Sequence, residues 1–281
     1  MIVGAHIRTH GGLPSVVPGA QAIGADAVQF FASNARQWRP PQIGDAAAAE
    51  FRRTAVEGGV RSMFLHAPYV VNIASPTPEF VDRSVDLCRA TLAAADQLGA
   101  RGLVIHAGAG GTGEPADALA RAASSLEQIA ATESDAWPVV ELMAATAGAV
   151  ASTIAQAVRL FDAVRTNERL RLCLDTCHLF ASGYDLHEPD GVAACFDELA
   201  ASGLAERLVV VHANDAAFGV GSHRDRHTNI GAGEIGRRGF AAILARPEVR
   251  HCTVVCETPG DEAVRRNDVA VLKELAAATG V

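Results

Sequence analysis

The chain has 281 residues, 49% hydrophobic and 20% charged, the balance of a soluble globular protein with a large core. No apolar run approaches the ~20 residues that a membrane-spanning helix needs, so none is expected. The formal net charge of −8 weighs against a nucleic-acid partner, although divalent cations in a carboxylate-lined site would change the local field. Met1 to His6 lack the basic and apolar regions of a signal peptide, so a cytoplasmic location is expected. Cys88, Cys173, Cys177, Cys195, Cys252 and Cys256 form no CxxC pair and read as reduced core residues.

Along the chain, short β-rich apolar runs alternate with longer alanine-rich segments, the pattern of repeated βα units. Eight strands are predicted, near 2–6, 26–31, 61–66, 102–106, 138–141, 171–175, 207–212 and 252–257. Helices are predicted between them, among others at 79–98, 115–132, 146–165 and 190–202. No Pro/Gly/Ser-rich linker divides the sequence and no repeat is visible, so one domain over 1–281 is expected. The fold expected is an α/β TIM (β/α)8 barrel of the xylose-isomerase-like type.

The strand ends carry the chemistry. Seven of the eight close on His6, His66, His106, Glu141, Asp175, His212 and Glu257. In a (β/α)8 barrel all strand C-termini converge on one face, which bears the active site. One such histidine is more often structural than a ligand. Seven together are hard to explain as core, because buried charges need partners. Three local motifs sharpen the pattern: Asp175-Thr176-Cys177-His178, Val211-His212-Ala213-Asn214-Asp215, and Gly221 to His227. Asp225 and His227 sit two apart, so in an extended loop both reach toward one ion. Carboxylates and imidazoles without thiolates suit zinc, or else manganese or iron.

Other features read more plainly. Two segments, 108–113 and 231–236, fit G-x-G-x-x-G, but neither has the full setting of a dinucleotide site. Both are expected to be flexible loops on the catalytic face. On their own, Trp38 reads as packing and Arg36 and Arg39 as a solvated loop. His10, His187, His223 and His251 read as surface residues.

The segments GAHIRTHGGL (4–13), FFASNARQW (30–38), LHAPYVVNIAS (65–75), VIHAG (104–108), LDTCHLFASGYDL (174–186), VHANDA (211–216), GSHRDRHTNIGAGEIG (221–236) and CET (256–258) carry a family likeness. Through them the chain resembles the endonuclease IV family of apurinic/apyrimidinic (AP) endonucleases along nearly its whole length. The resemblance implies three zinc ions per chain, with manganese or iron acceptable at some positions. It implies His66, His106 and Glu141 on one zinc, and a bridging Glu141 with Asp175, His212 and Glu257 on a second. His178, Asp225 and His227 would hold the third, with Glu141 and Glu257 catalytic. It further implies that Arg36, Gln37 and Tyr69 engage DNA at the lesion, and that Arg224, Arg226 and Asn229 contact DNA phosphates. The implied partner is double-stranded DNA with abasic sites, cut by a monomer 5′ to the lesion. The products are a 3′-hydroxyl and a 5′-deoxyribose phosphate, with trimming of blocked 3′-ends as a second activity.

One departure stands out: the family usually has Asn-Thr-Ala-Gly after the bridging glutamate, where this chain has Leu142-Met143-Ala144-Ala145. The alternative is a metal-dependent sugar isomerase or epimerase on the same barrel. It needs one or two metals and gives Asp225, His227, Arg36 and Tyr69 no role.

Overall fold

The computed structural model describes residues 1–166 and 168–279. Eight parallel strands form a closed barrel: β1 Ile2–His6, β2 Ala27–Phe30, β3 Ser62–His66, β4 Gly102–His106, β5 Trp137–Glu141, β6 Arg171–Asp175, β7 Leu208–His212 and β10 Thr253–Cys256. Closure comes from β1, which pairs with β2 on one side and β10 on the other. Two short strands outside the barrel, β8 Asp215–Ala216 and β9 His227–Thr228, pair antiparallel. The helices are α1 Val16–Ala22, α2 Asp45–Glu57, α3 Pro78–Leu98, α4 Pro115–Ala130, α5 Ile154–Ala163, α6 Thr176–Ala181, α7 Pro189–Ala201, α8 Gly236–Ala245 and α9 Glu262–Ala278. The barrel has the expected class, and its strands lie where the apolar runs placed them.

Side chains alternate across each strand, and the barrel uses both faces. Phe64, Val104, Val139, Cys173 and Val210 form one small buried cluster, while Leu65, Leu103, Val140, Leu172 and Val211 belong to the large core that takes in the helices. Each member of the small cluster lies two residues before a strand-end group. Phe64 precedes His66, Val104 precedes His106, Val139 precedes Glu141, Cys173 precedes Asp175 and Val210 precedes His212. The alternation that fills the barrel with apolar side chains thus carries the next layer of the same face into carboxylates and imidazoles.

The opposite end of the barrel is sealed by arginine. The guanidiniums of Arg101 and Arg171 lie 5.1 and 5.0 Å from the Trp137 ring centre. Arg169 donates to the carbonyls of Ala130, Thr132, Ala136 and Ser134.

One helix is shorter than its alanine content suggests. The predicted 146–165 segment is helical only from Ile154 to Ala163. Thr153 and Gln156 form a capping box that starts α5 there. The preceding residues pair with the loop after β4: Gly110 N–H donates to Gly148 O at 2.8 Å, and Val150 N–H to Gly108 O at 2.9 Å. Gly148 has φ +76°, and a Cβ on it would fall 2.3 Å from Gly111 O, so a helix cannot pass through this point. All six cysteines are buried and free. No helix of the described residues is long and apolar enough to cross a membrane.

Candidate metal centre

Glu141 stands at the middle of the C-terminal face, 1% exposed. Its Oε2 lies 3.1 Å from His66 Nε2 and 3.3 Å from His106 Nε2. Its Oε1 lies 3.0 Å from His212 Nδ1, which is also 3.5 Å from Glu257 Oε2 and 4.0 Å from Asp175 Oδ2. Further out, His178 Nε2 and His227 Nε2 each lie 3.3 Å from an oxygen of Asp225. Three thiol-free groups result, each with its donor atoms within 4.8 Å of one another: His66, His106 and Glu141; Glu141, Asp175, His212 and Glu257; His178, Asp225 and His227. His6, which ends β1, joins none of these groups among the described residues.

The imidazoles are pre-oriented. His66 Nδ1–H donates to Ala67 O and His178 Nδ1–H to Leu142 O, both at 2.8 Å. His212 Nε2–H donates to Gln29 Oε1 at 2.9 Å. In each ring the other nitrogen faces the cluster, where it could ligate a metal once its proton leaves. Burial would raise the Glu141 carboxyl, but His212 and His106 hold it well below the usual range. Burial opposes protonation of His178 and His227, yet Asp175 and Asp225 push them up to about 10 and about 9. In the metal-free protein these imidazoles supply positive charge to the surrounding carboxylates.

His227 Nε2 shows what is missing from that arrangement. It is buried, it lies 3.3 Å from Asp225 Oδ1 and 3.5 Å from Asp175 Oδ2, and it has no aligned hydrogen-bond partner. A cation among these donors would satisfy all of them, so the residues present fit a divalent metal. Cys173 and Cys177 sulfurs also come near these groups, but burial pushes both thiols up to about 12. They remain protonated core residues.

The sequence pattern of the xylose isomerase-like TIM barrel family matches residues 18–275. A protein of Methanoculleus marisnigri called probable endonuclease 4 is 36% identical over 283 positions, covering 99% of this chain and 100% of the relative. This chain belongs to the endonuclease IV family. The crystal structure of endonuclease IV from Thermus thermophilus superposes with a TM-score of 0.85 at 29% identity, covering 99% of this chain and all of that one. A D-tagatose 3-epimerase-like protein superposes at 0.75 with 18% identity over 100% of this chain and 98% of its own, and shares the fold.

In this member of the endonuclease IV family, two residues that strand-end reasoning missed hold the centre together. Gln29, fully buried on β2, donates to Glu257 Oε1 at 2.7 Å while accepting from His212. Asn214 donates to Asp175 Oδ2 at 2.6 Å, and its Oδ1 accepts from Glu257 N–H at 2.7 Å. The HAND segment after β7 could have flagged Asn214. Gln29 sits on the one strand with no ligand-type end and gave no such signal.

Above the metal groups opens a cleft of about 950 Å³, lined in part by His66, Tyr69, Glu141, Asp225, Arg226 and Glu257. Tyr69 is 65% exposed, its ring centre is 5.0 Å from Phe31, and its N–H donates to Ala35 O. That bond ties the β3 loop to the β2 loop bearing the exposed Arg36 and Gln37. Trp38 packs against Phe80 with Arg83 stacked 4.6 Å away, so it belongs to the scaffold. Arg226 is exposed into the cleft, whereas the Arg224 guanidinium lies 3.6 Å from the Phe218 ring centre.

Two expectations need correction. The Asn229 amide donates to Pro259 O and Asp268 Oδ2, so it braces two loops and is not free to reach a phosphate. The 231–236 segment is no flexible loop: the N–H groups of Gly231, Gly233, Ile235 and Gly236 all converge on the buried Asp215 carboxylate. A Cβ on Gly233 would sit 2.5 Å from that carboxylate. The turn is an anion nest already filled by a side chain of its own chain. His223 is exposed, as expected, and it also fastens a loop. It has φ +55°, the only positive φ of a non-glycine residue among those described, and its Nδ1–H donates to Ala145 O at 3.0 Å. Ala145 N–H donates to Ser182 Oγ, and Met143 N–H to Ala151 O. These bonds, with that of Leu142 O, hold the loop after β5 against the metal groups.

Proposed function

We propose that the chain is a metal-dependent AP endonuclease, which hydrolyses the phosphodiester 5′ to an abasic site in double-stranded DNA. The products are a 3′-hydroxyl and a 5′-deoxyribose phosphate, and the same site trims blocked 3′-ends. The observation that carries this reading is the third ligand group, His178, Asp225 and His227, beside the two that share Glu141 beneath one arginine-bordered cleft. An epimerase reading leaves that group and the exposed Tyr69 without a task.

The residues present would hold three divalent ions, zinc by donor type, with manganese or iron acceptable at some positions. Bound there, the ions supply a hydroxide at neutral pH and neutralise charge that builds on the attacked phosphate. Glu141 offers one oxygen to His66 and His106 and the other to His212, so it sets the spacing of the first two sites. Glu257 is held in place by Gln29 and Asn214 and closes the second. Tyr69, Arg36 and Gln37 fill the gap left by the missing base. Arg226 and Arg224 neutralise neighbouring phosphates, for which Arg224 leaves Phe218. Residues 1–281 act as one catalytic unit, a monomer.

Elemental analysis of the purified protein, paired with cleavage of a duplex carrying one abasic-site analogue, tests the reading. About three metal equivalents and incision 5′ to the lesion are expected. A zinc-loaded protein that leaves the abasic duplex intact would overturn it.

A further inference from the structure

The loops after β1 and β10 bring two guanidiniums to one side of the cleft. Arg8 lies two residues beyond β1, Arg265 lies in the first turn of α9, and both line the cleft with Thr9 and His10. Each is anchored by a carbonyl of the other's loop: Arg8 Nη2 donates to Gly260 O at 3.2 Å, and Arg265 Nη2 to His6 O. Arg265 is partly buried, and burial with the charge of Arg8 lowers its pKa.

Nearby carboxylates are already engaged. Asp268 accepts from Asn229, Ile230 N–H and Thr258. Asp261 caps α9 through Val264 N–H, and Glu262 pairs with Arg266. Glu257 faces Gln29 and His6. Neither Arg8 nor Arg265 forms an ion pair among the described residues. Two like charges anchored on carbonyls at one side of the cleft, neither in an ion pair among the described residues, are stabilised when an anion binds beside them.

We propose that Arg8 and Arg265 form a second anion subsite of the cleft, which binds a non-scissile phosphate of the DNA backbone. The subsite rests on the nuclease reading for its ligand, but it recognises phosphate and not the lesion. It stands apart from the Arg36 and Tyr69 loops, on the β1–β10 side of the barrel mouth. Arg8 is the residue to test, because Arg265 also supports the backbone at His6.

The experiment titrates zinc-loaded wild type, Arg8→Ala and Arg8→Lys with fluorescent abasic and undamaged duplexes over a range of salt concentrations. Arg8→Ala should lower the slope of log affinity against log salt by about 0.9 on both duplexes, the signature of one lost phosphate contact. Arg8→Lys should keep most of that slope, and zinc content should not change. An Arg8→Ala slope equal to wild type overturns the subsite, even where the wild type cleaves abasic DNA and the nuclease reading holds. A wild type that never cleaves, yet binds duplex with an Arg8-dependent slope, overturns the nuclease reading and keeps the subsite. A wild type that binds neither duplex overturns both.

Discussion

The two ends of the barrel both hold charge close to the core, and they treat it in opposite ways. At the N-terminal end Arg169 meets four backbone carbonyls, and Arg101 and Arg171 lie against Trp137. At the C-terminal end Glu141, Asp175 and Glu257 crowd around imidazoles, and His227 Nε2 is buried beside two carboxylates without an aligned hydrogen bond. At the first end each charge meets carbonyls or a ring; at the second, carboxylates and imidazoles meet one another in groups that could hold a metal ion. Charge near a core therefore identifies a site only when its partners are themselves charged and incomplete.

The sharpest way to break the contrast is Glu141→Gln. It removes the carboxylate common to two groups, so cleavage should fall by about 10³-fold or more, the scale of losing a principal electrostatic group. Bound metal should fall with it, while circular dichroism keeps its helical signal. Full metal retention would show that Glu141 does not bridge.

A pH series probes the same end. His178 and His227 stand at about 10 and about 9 in the metal-free fold, above the ordinary 6.5. Their protonation therefore stabilises the metal-free protein fully below pH 6.5, and that contribution is lost as pH rises through about 9 and then 10. Metal must displace these protons, so zinc affinity should climb with pH up to that range, by about tenfold per pH unit for each proton released. Calorimetry in buffers of different ionisation enthalpy would count the protons. No proton release at pH 7 would contradict the charge state assigned to both rings.

Arg169→Ala addresses the other end. Losing a charged donor to four carbonyls should lower stability by about 1.5–3 kcal/mol in a denaturant titration. The rate per folded molecule should stay unchanged; a large loss of rate would show that the two ends are coupled. Smallest is Gln29→Leu, which removes the bonds to His212 and Glu257 but no ligand. Metal should bind about 10–100-fold more weakly, with the fold intact. Unaltered affinity would reduce Gln29 to packing.

The barrel and the strand-end groups were legible because both follow from one alternation, apolar within the strand and metal-competent at its end. Gln29 was not, because its meaning lies in Glu257, 228 residues away along the chain. The extent of α5 was misjudged because alanine favours helix everywhere, whereas the limit is set by the contact of Gly148 with Gly111. The 231–236 turn looked flexible because glycine marks permitted conformations and says nothing of an anion on which several N–H groups converge. Asn229 looked available for phosphate because Asp268, which holds it, is 39 residues away.

The loop after β5 is fastened by its peptide groups: Leu142 O to His178, Met143 N–H to Ala151, Ala145 N–H to Ser182, Ala145 O to His223, and Val150 N–H to Gly108. Atoms that every amino acid possesses record no identity. Over evolutionary time the partly exposed positions of such a segment can exchange their letters while its shape, and the ring of His178 that leans on it, stay where they were; Gly148, pressed against Gly111, cannot. Leu142 and Met143 are fastened in this way directly beside Glu141. Proline is closed to 143, 145 and 150 for a different reason, because it would delete an N–H that the fastening uses.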